Sequence, residues 1–331
     1  MADLSRAAGG RDRAQLFVVG ALALATTFVV LAVVLNSVIY AGAVATRDDG
    51  THAGPALAYD RQATAAAADA VREVSRESTN DTAADALAAR VVEWRAVADR
   101  HLAYRNAVGD VTVTATTPGT YAGQTNASRA LVPAGDEANA SGDWTLVTDA
   151  RVRAYEAAVE PDSALSDATV ADGSALRDAA LGVRFENATG SVWTVTVYRN
   201  DTHACVKTFS PGGTATPATC RPGTALAVSF ADATVNGTDA PALEFLSPSE
   251  PYTVGYRNGH AATGTYGFVA RRGAGDPVGG PVEAGNFAGE DAAASPFYSA
   301  GVYAADLRVN YRNRNVWYAT NVTVAPGEFD G

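Results

Sequence analysis

The sequence predicts an N-terminal transmembrane helix, a short α-helical stalk or hairpin, and then a mainly antiparallel, sandwich-like β ectodomain. Three observations carry this expectation. No charged residue occurs between Arg13 and Arg47, and the apolar block Leu16–Leu35 begins just after Arg13. Two later segments repeat apolar residues at helical spacing. From Gly109 onward the period falls to two, and turn residues punctuate the strands.

The apolar block comes first. Twenty helical residues rise roughly 30 Å, the thickness of a bilayer's hydrocarbon core. Residues 1–14 then form a cytoplasmic leader and 15–46 the spanning helix. Arg6, Arg11 and Arg13 precede the block, whereas Arg47 is followed at once by Asp48 and Asp49. The positive-inside rule therefore puts the N-terminus in the cytoplasm and the rest of the chain outside, with membrane lipid as the first partner. Three fates remain open for the segment. It is an uncleaved signal anchor, a secretory peptide cut near Ala43-Val44-Ala45, or a leader cut between Ala14 and Gln15.

The third fate rests on Arg13-Ala14-Gln15-Leu16 followed by Phe17-Val18-Val19-Gly20-Ala21-Leu22. This stretch resembles the start of archaeal type IV pilin-like proteins and of haloarchaeal membrane-anchored surface proteins. The resemblance covers about the first 35–45 residues. It implies prepilin-type cleavage and, as partners, other pilin-like subunits or surface-layer components. The fifth position after the proposed cut is Val19 rather than the glutamate of bacterial pilins, so assembly through that carboxylate does not carry over.

Residues 47–107 follow. Arg47–Pro55 reads as a juxtamembrane break, and Ala56–Ser78 and Thr82–Asn106 have helical composition. In the second, Leu87, Val91, Trp94, Ala98 and Leu102 form one stripe. In the first, Tyr59, Ala63, Ala66, Ala70 and Val74 form a narrower one. Asn80, Thr82 and Asp85 supply turn and capping chemistry between them. A hairpin whose stripes bury each other and a broken stalk both fit.

Residues 108–331 read as the β-rich domain. Strands are expected at Val111–Thr117, Trp144–Tyr155, Leu181–Glu186, Ser191–Tyr198, Ala204–Phe209, Ala225–Phe230, Ala242–Leu246, Tyr252–Tyr256, Thr265–Ala270, Val302–Tyr311 and Val316–Val324. Turns fall at Asn200-Asp201, Pro211-Gly212-Gly213, Arg257-Asn258-Gly259 and Arg312-Asn313-Arg314-Asn315. Arg271–Ser295, rich in Gly, Pro and Ala, reads as a long loop.

Composition bounds the chemistry. The net charge is −11, Lys207 is the single lysine, and Asp and Glu outnumber Lys and Arg by 36 to 25. A diffuse acidic surface argues against nucleic-acid binding, which needs a basic footprint. The Asp-rich, Lys-poor profile also looks like that of a halophilic archaeal protein. Seven N-x-[ST] sequons begin at Asn80, Asn126, Asn139, Asn187, Asn200, Asn236 and Asn321, all beyond the apolar block. They are candidate glycosylation sites. Two cysteines, Cys205 and Cys220, cannot make a zinc site without further ligands, and in an oxidising compartment they would close one loop.

The histidines His52, His101, His203 and His260 stand alone in sequence, and no nucleophile-elbow, Walker or metalloprotease motif occurs. The expectation is therefore no catalytic residue, no metal and no cofactor. Arg271-Arg272 and Arg312/Arg314 read as exposed charges beside turns. Together these readings point to a single-pass surface protein with a structural or adhesive role, or a pilin-like subunit. The alternative is a membrane-anchored extracellular hydrolase or solute-binding ectodomain.

Overall fold

The computed structural model describes residues 53–77, 82–135, 142–247, 250–289 and 295–327. The expected spanning helix 15–46, the leader residues Ala14 and Gln15, and Asn80 and Asn139 lie outside the described residues. Among the described residues, no helix is long and apolar enough to cross a membrane. The chain divides into two units at Ala58/Tyr59, and the second, Tyr59–Gly331, contains both described sheets and nearly all of the described helical residues.

Two helices open the described chain, α1 (Gly54–Glu77) and α2 (Ala83–Ala103). Pro55 sits inside the first turn of α1, where its missing N–H would be unpaired anyway, so the helix starts earlier than the juxtamembrane break suggested. Among the described residues fourteen strands follow: β1 (Val108–Gln124), β2 (Trp144–Ala150), β3 (Val152–Pro161), β4 (Leu181–Asn187), β5 (Val192–Arg199), β6 (His203–Phe209) and β7 (Thr219–Pro222), then β8 (Leu226–Ser229), β9 (Thr234–Val235), β10 (Thr238–Asp239), β11 (Tyr252–Arg257), β12 (Ala262–Arg271), β13 (Phe297–Arg312) and β14 (Trp317–Val324). Two short helices, α3 (Asp167–Ala171) and α4 (Gly173–Ala179), lie between β3 and β4.

The strands form an eight-stranded sheet, ordered β10-β9-β8-β3-β12-β1-β13-β14, and a six-stranded sheet, ordered β2-β11-β4-β5-β6-β7. Their ladders are antiparallel, as the short alternating runs predict. The sheets share one apolar core. Tyr155 of the larger sheet stacks on Phe230 at 4.6 Å and meets Phe185 of the smaller one at 6.1 Å. Its hydroxyl donates to the Tyr256 hydroxyl at 3.0 Å, so this buried polar pair satisfies itself. Trp144 touches Tyr256, Tyr266 and Phe287, and its indole N–H donates to the Leu131 carbonyl at 2.8 Å.

The helices take the hairpin arrangement and lie on the outer face of the eight-stranded sheet. Arg90 of α2 pairs with Glu73 of α1 at 3.0 Å, and Tyr59 meets Trp94 at 5.7 Å and Tyr311 of β13 at 5.9 Å. Leu87, Val71 and Val74 are buried between them and the sheet. One close approach needs glycine: a Cβ on Gly109 would sit 2.5 Å from the Tyr59 ring.

Ser75 fixes α1 to β13. Its Oγ donates to the Val71 carbonyl at 2.7 Å and accepts the Val302 N–H at 3.2 Å. Val302 lies opposite Pro118, beside a register shift in the β1–β13 ladder. The helix thus partners a sheet N–H at an irregular place in the ladder.

Several strand expectations need correction. Trp144–Tyr155 is two strands in different sheets, because Asp149 (φ 46°) and Ala154 (φ 52°) turn the chain around Arg151. Ala242–Leu246 is no strand. Pro241 cannot donate to a ladder, and Pro241–Leu243 forms a 3-10 turn that buries Ala242 and Leu243. β1 runs much further than Val111–Thr117, through Pro118, and β13 starts five residues before Val302. The capped helices α3 and α4 and the short β7, β9 and β10 carried too little periodicity to be read.

Candidate functional site

Five sequon asparagines lie among the described residues, and three share one geometry, their Oδ1 accepting the N–H two residues on. Asn126 follows β1, and its Oδ1 accepts the Ser128 N–H at 3.0 Å. Asn187 ends β4, where Oδ1 accepts from the Thr189 N–H (3.1 Å), the Thr189 hydroxyl (2.7 Å) and the Ser191 N–H (3.0 Å). Asn200 opens the β5–β6 turn and accepts from the N–H groups of Thr202 (3.1 Å) and His203 (2.8 Å). Asn236, between β9 and β10, accepts the Ala227 N–H at 2.7 Å. In the first three the asparagine's own turn engages the carbonyl half of the side-chain amide, and at Asn236 the neighbouring strand β8 does so. Among the described residues, no hydrogen bond engages the amide nitrogen of any of the four, the atom a glycan would join. Asn321 differs: it stands mid-strand on the exposed face of β14, opposite Arg308.

The predicted cysteine pair is a disulfide. Cys205 and Cys220 face each other across the β6–β7 ladder. β7 is an edge strand of only four residues, so the bridge holds what a short ladder would hold weakly. Around it, Leu176, Ala180, Tyr198 and Phe209 form a separate small core, with the Arg177 guanidinium 4.9 Å from the Phe209 ring centre.

A shallow groove of about 450 Å³ crosses the outer face of the eight-stranded sheet, between α1 and the β8–β10 edge. Ala158, Ala227, Thr265 and Gly267 line it, all small enough to leave a trough. Tyr121 forms one side. A Cβ on Gly267 would meet its hydroxyl at 2.5 Å, so the phenol occupies space that only glycine provides. Arg76 and Glu156 meet in the groove at 3.1 Å. Burial raises the Tyr121 hydroxyl above its usual range, partly offset by Arg76. Charged, hydroxyl and aromatic groups converge here on small-residue backbone, a geometry for holding a polar ligand by contact.

No family model, curated protein or solved structure matches this chain. Its chemistry has to be read from its own residues.

Among the described residues, no three His, Cys, Asp or Glu side chains gather as metal ligands would. His203 is held by its own turn, with Nδ1 2.8 Å from the Thr202 hydroxyl, and His101 lines a hollow beside Tyr59 and Trp94. Asp172 caps α4; the N–H groups of Ala175 and Ser174 hold its carboxyl below the usual range. One arginine expectation fails. Arg272 is buried: its N–H donates to the Pro118 carbonyl at 3.0 Å, and its Nη1 donates to the Asp276 carbonyl at 3.3 Å. Sequence reasoning also missed the Arg76–Glu156 pair and Tyr121. Residues 80 positions apart meet only through sheet order, and the sole local trace is the glycine pair Gly123 and Gly267.

Proposed function

We propose that this chain is a single-pass surface protein, N-terminus inside, whose β-rich domain is glycosylated outside the cell and serves a structural or adhesive role. The observation that carries this reading is the sequon geometry: Asn126, Asn187 and Asn200 hold their amide oxygens in their own turns, Asn236 holds its oxygen on the neighbouring strand, and among the described residues no hydrogen bond engages their nitrogens. Sugars are accommodated on such turns without disturbing a core. The Cys205–Cys220 bridge fits an oxidising compartment. The apolar segment 15–46 supplies the membrane tie, and Arg13-Ala14-Gln15-Leu16 supplies the route to a pilin-like subunit.

Two measurements on protein from native membranes test it. Glycopeptide mass spectrometry should find glycan on the sequon asparagines; bare asparagine at all seven would overturn the glycosylated reading. N-terminal sequencing should give Gln15 for pilin-like processing. A start at Met1 or Ala2 leaves a plain anchor, and a start near Thr46 overturns the membrane-tied reading. The groove beside Tyr121 favours a solute-binding ectodomain as the second reading. Glu156 is its carboxylate and is held by Arg76, an arrangement suited to contact more than to proton transfer.

A further inference from the structure

The corner where the chain passes from the six-stranded to the eight-stranded sheet holds a second concavity, of about 540 Å³. Arg151, Arg271 and Arg272 line it together with Thr116, Thr117 and Asp149. The backbone forces the arginines together. Ala270 pairs with Val152, so the next residues along, Arg271 and Arg151, stand opposite each other, and the Arg271 N–H donates to the Arg151 carbonyl at 2.8 Å. Like charges directly across a ladder repel.

Among the described residues, no carboxylate lies within ion-pair distance of either side chain. Arg72, Arg76, Arg90, Arg95, Arg184 and Arg257 each have a carboxylate within 4.0 Å. Arg151 and Arg271 are exposed and carry no ion pair or side-chain hydrogen bond among the described residues, although Asp149 lines the same hollow. In a chain of net charge −11 this is an unusual place to leave two arginines opposite each other along the backbone without an ion pair. Asp149 is the one carboxylate lining the hollow, against three arginines, and at 0.1 M salt charges beyond about 10 Å are largely screened. Guanidinium groups match planar and tetrahedral oxyanions by paired N–H donation.

We infer that this corner is a binding site for an oxyanion, a carboxylate, sulfate or phosphate group, carried by a small solute or by an acidic polymer. The Arg151 and Arg271 guanidinium groups hold the anion, and Thr116 and Thr117 line the same hollow for the remainder of the ligand. The volume exceeds what a bare ion fills and lies within the roughly 300–1,000 Å³ of small-molecule sites.

The test is titration calorimetry on the full-length protein at low ionic strength, with sodium sulfate, sodium citrate and polygalacturonate as separate probes. Saturable binding of at least one probe is expected, with a Kd below about 10 mM. Arg271→Gln should weaken it about tenfold, and adding Arg151→Gln should abolish it. Both side chains are exposed, and thermal unfolding checks that the variants fold. Arg314→Gln, on a turn elsewhere, should bind as wild type does. Citrate or sulfate binding points to a free solute; polygalacturonate binding without either points to a polymer. Absence of saturable binding by all three probes, or equal binding by the double variant, overturns the inference.

Discussion

At the scale of single residues, buried polar groups decide where this protein is sensitive. Ser75 is 1% exposed and joins α1 to β13 through one oxygen. Ser75→Ala removes that acceptor and strands the Val302 N–H, and should cost about 1–3 kcal/mol. Urea unfolding of the full-length protein measures it as a lower midpoint at unchanged slope. The tyrosines set the alkaline limit. Tyr59 is pushed up to about 12, first by burial and then by Asp99 and Asp110, with Arg95 opposing. Burial also raises Tyr155, Tyr256 and Tyr266. Unfolded tyrosine ionises near 10, so above that pH the unfolded chain releases protons that the folded chain retains. The stabilisation is complete below pH 10 and is lost as pH rises from 10 towards 12. Melting temperatures should therefore fall across that window, and Tyr59→Phe should shallow the fall.

At the scale of elements, the joints matter more than the strands. Removing the disulfide with Cys205→Ser and Cys220→Ser frees a loop of 15-residue separation, worth about 3 kcal/mol by chain entropy. Hydrogen exchange should then rise in β6 and β7 first; equal rises in β1 would contradict the local role given to the bridge. Gly109→Leu places a side chain where Tyr59 already sits. It should lift the helical hairpin from the sheet and expose Trp94, seen as a red shift in tryptophan emission.

These joints also mark what the sequence made legible. The α2 stripe announced its element because local period and burial agree there, and the alternation in Trp193-Thr194-Val195-Thr196-Val197 announced a strand although both of its faces are covered from Val195 on. The β2/β3 corner did not, since Asp149 and Ala154 take positive φ without a glycine to signal it. The sequons and the cysteine pair were legible as motifs. The Tyr121 groove and the arginine corner were not, because each is assembled from strands adjacent only in the folded sheet order.

At the scale of the whole molecule, the exposed end of the eight-stranded sheet invites a test of the glycoprotein reading. β14 is an edge strand of eight residues without charge or proline, and Trp317 on it is 77% exposed. Such edges pair with other chains unless something blocks them. Asn321 stands in the middle of this one, and a glycan there would be that block. Asn321→Gln in a glycosylating host should increase self-association, read by light scattering, whereas Asn126→Gln should leave it unchanged. Equal behaviour of the two variants would remove the protective role from Asn321.

The pairing of β1 with β13 has a consequence in time. Fifteen residue pairs join a strand ending at Gln124 to one that begins at Phe297, while all six strands of the smaller sheet lie in the sequence between them. At about 5–20 residues per second, β1 waits roughly 10–35 s for its partner to be synthesised. All six strands of the smaller sheet are made during that interval, while the larger sheet still lacks β13 and β14. Synthesis therefore completes the strands of the smaller sheet before those of the larger one. For those seconds the Thr- and Val-rich β1 depends on whatever shields nascent strands from one another.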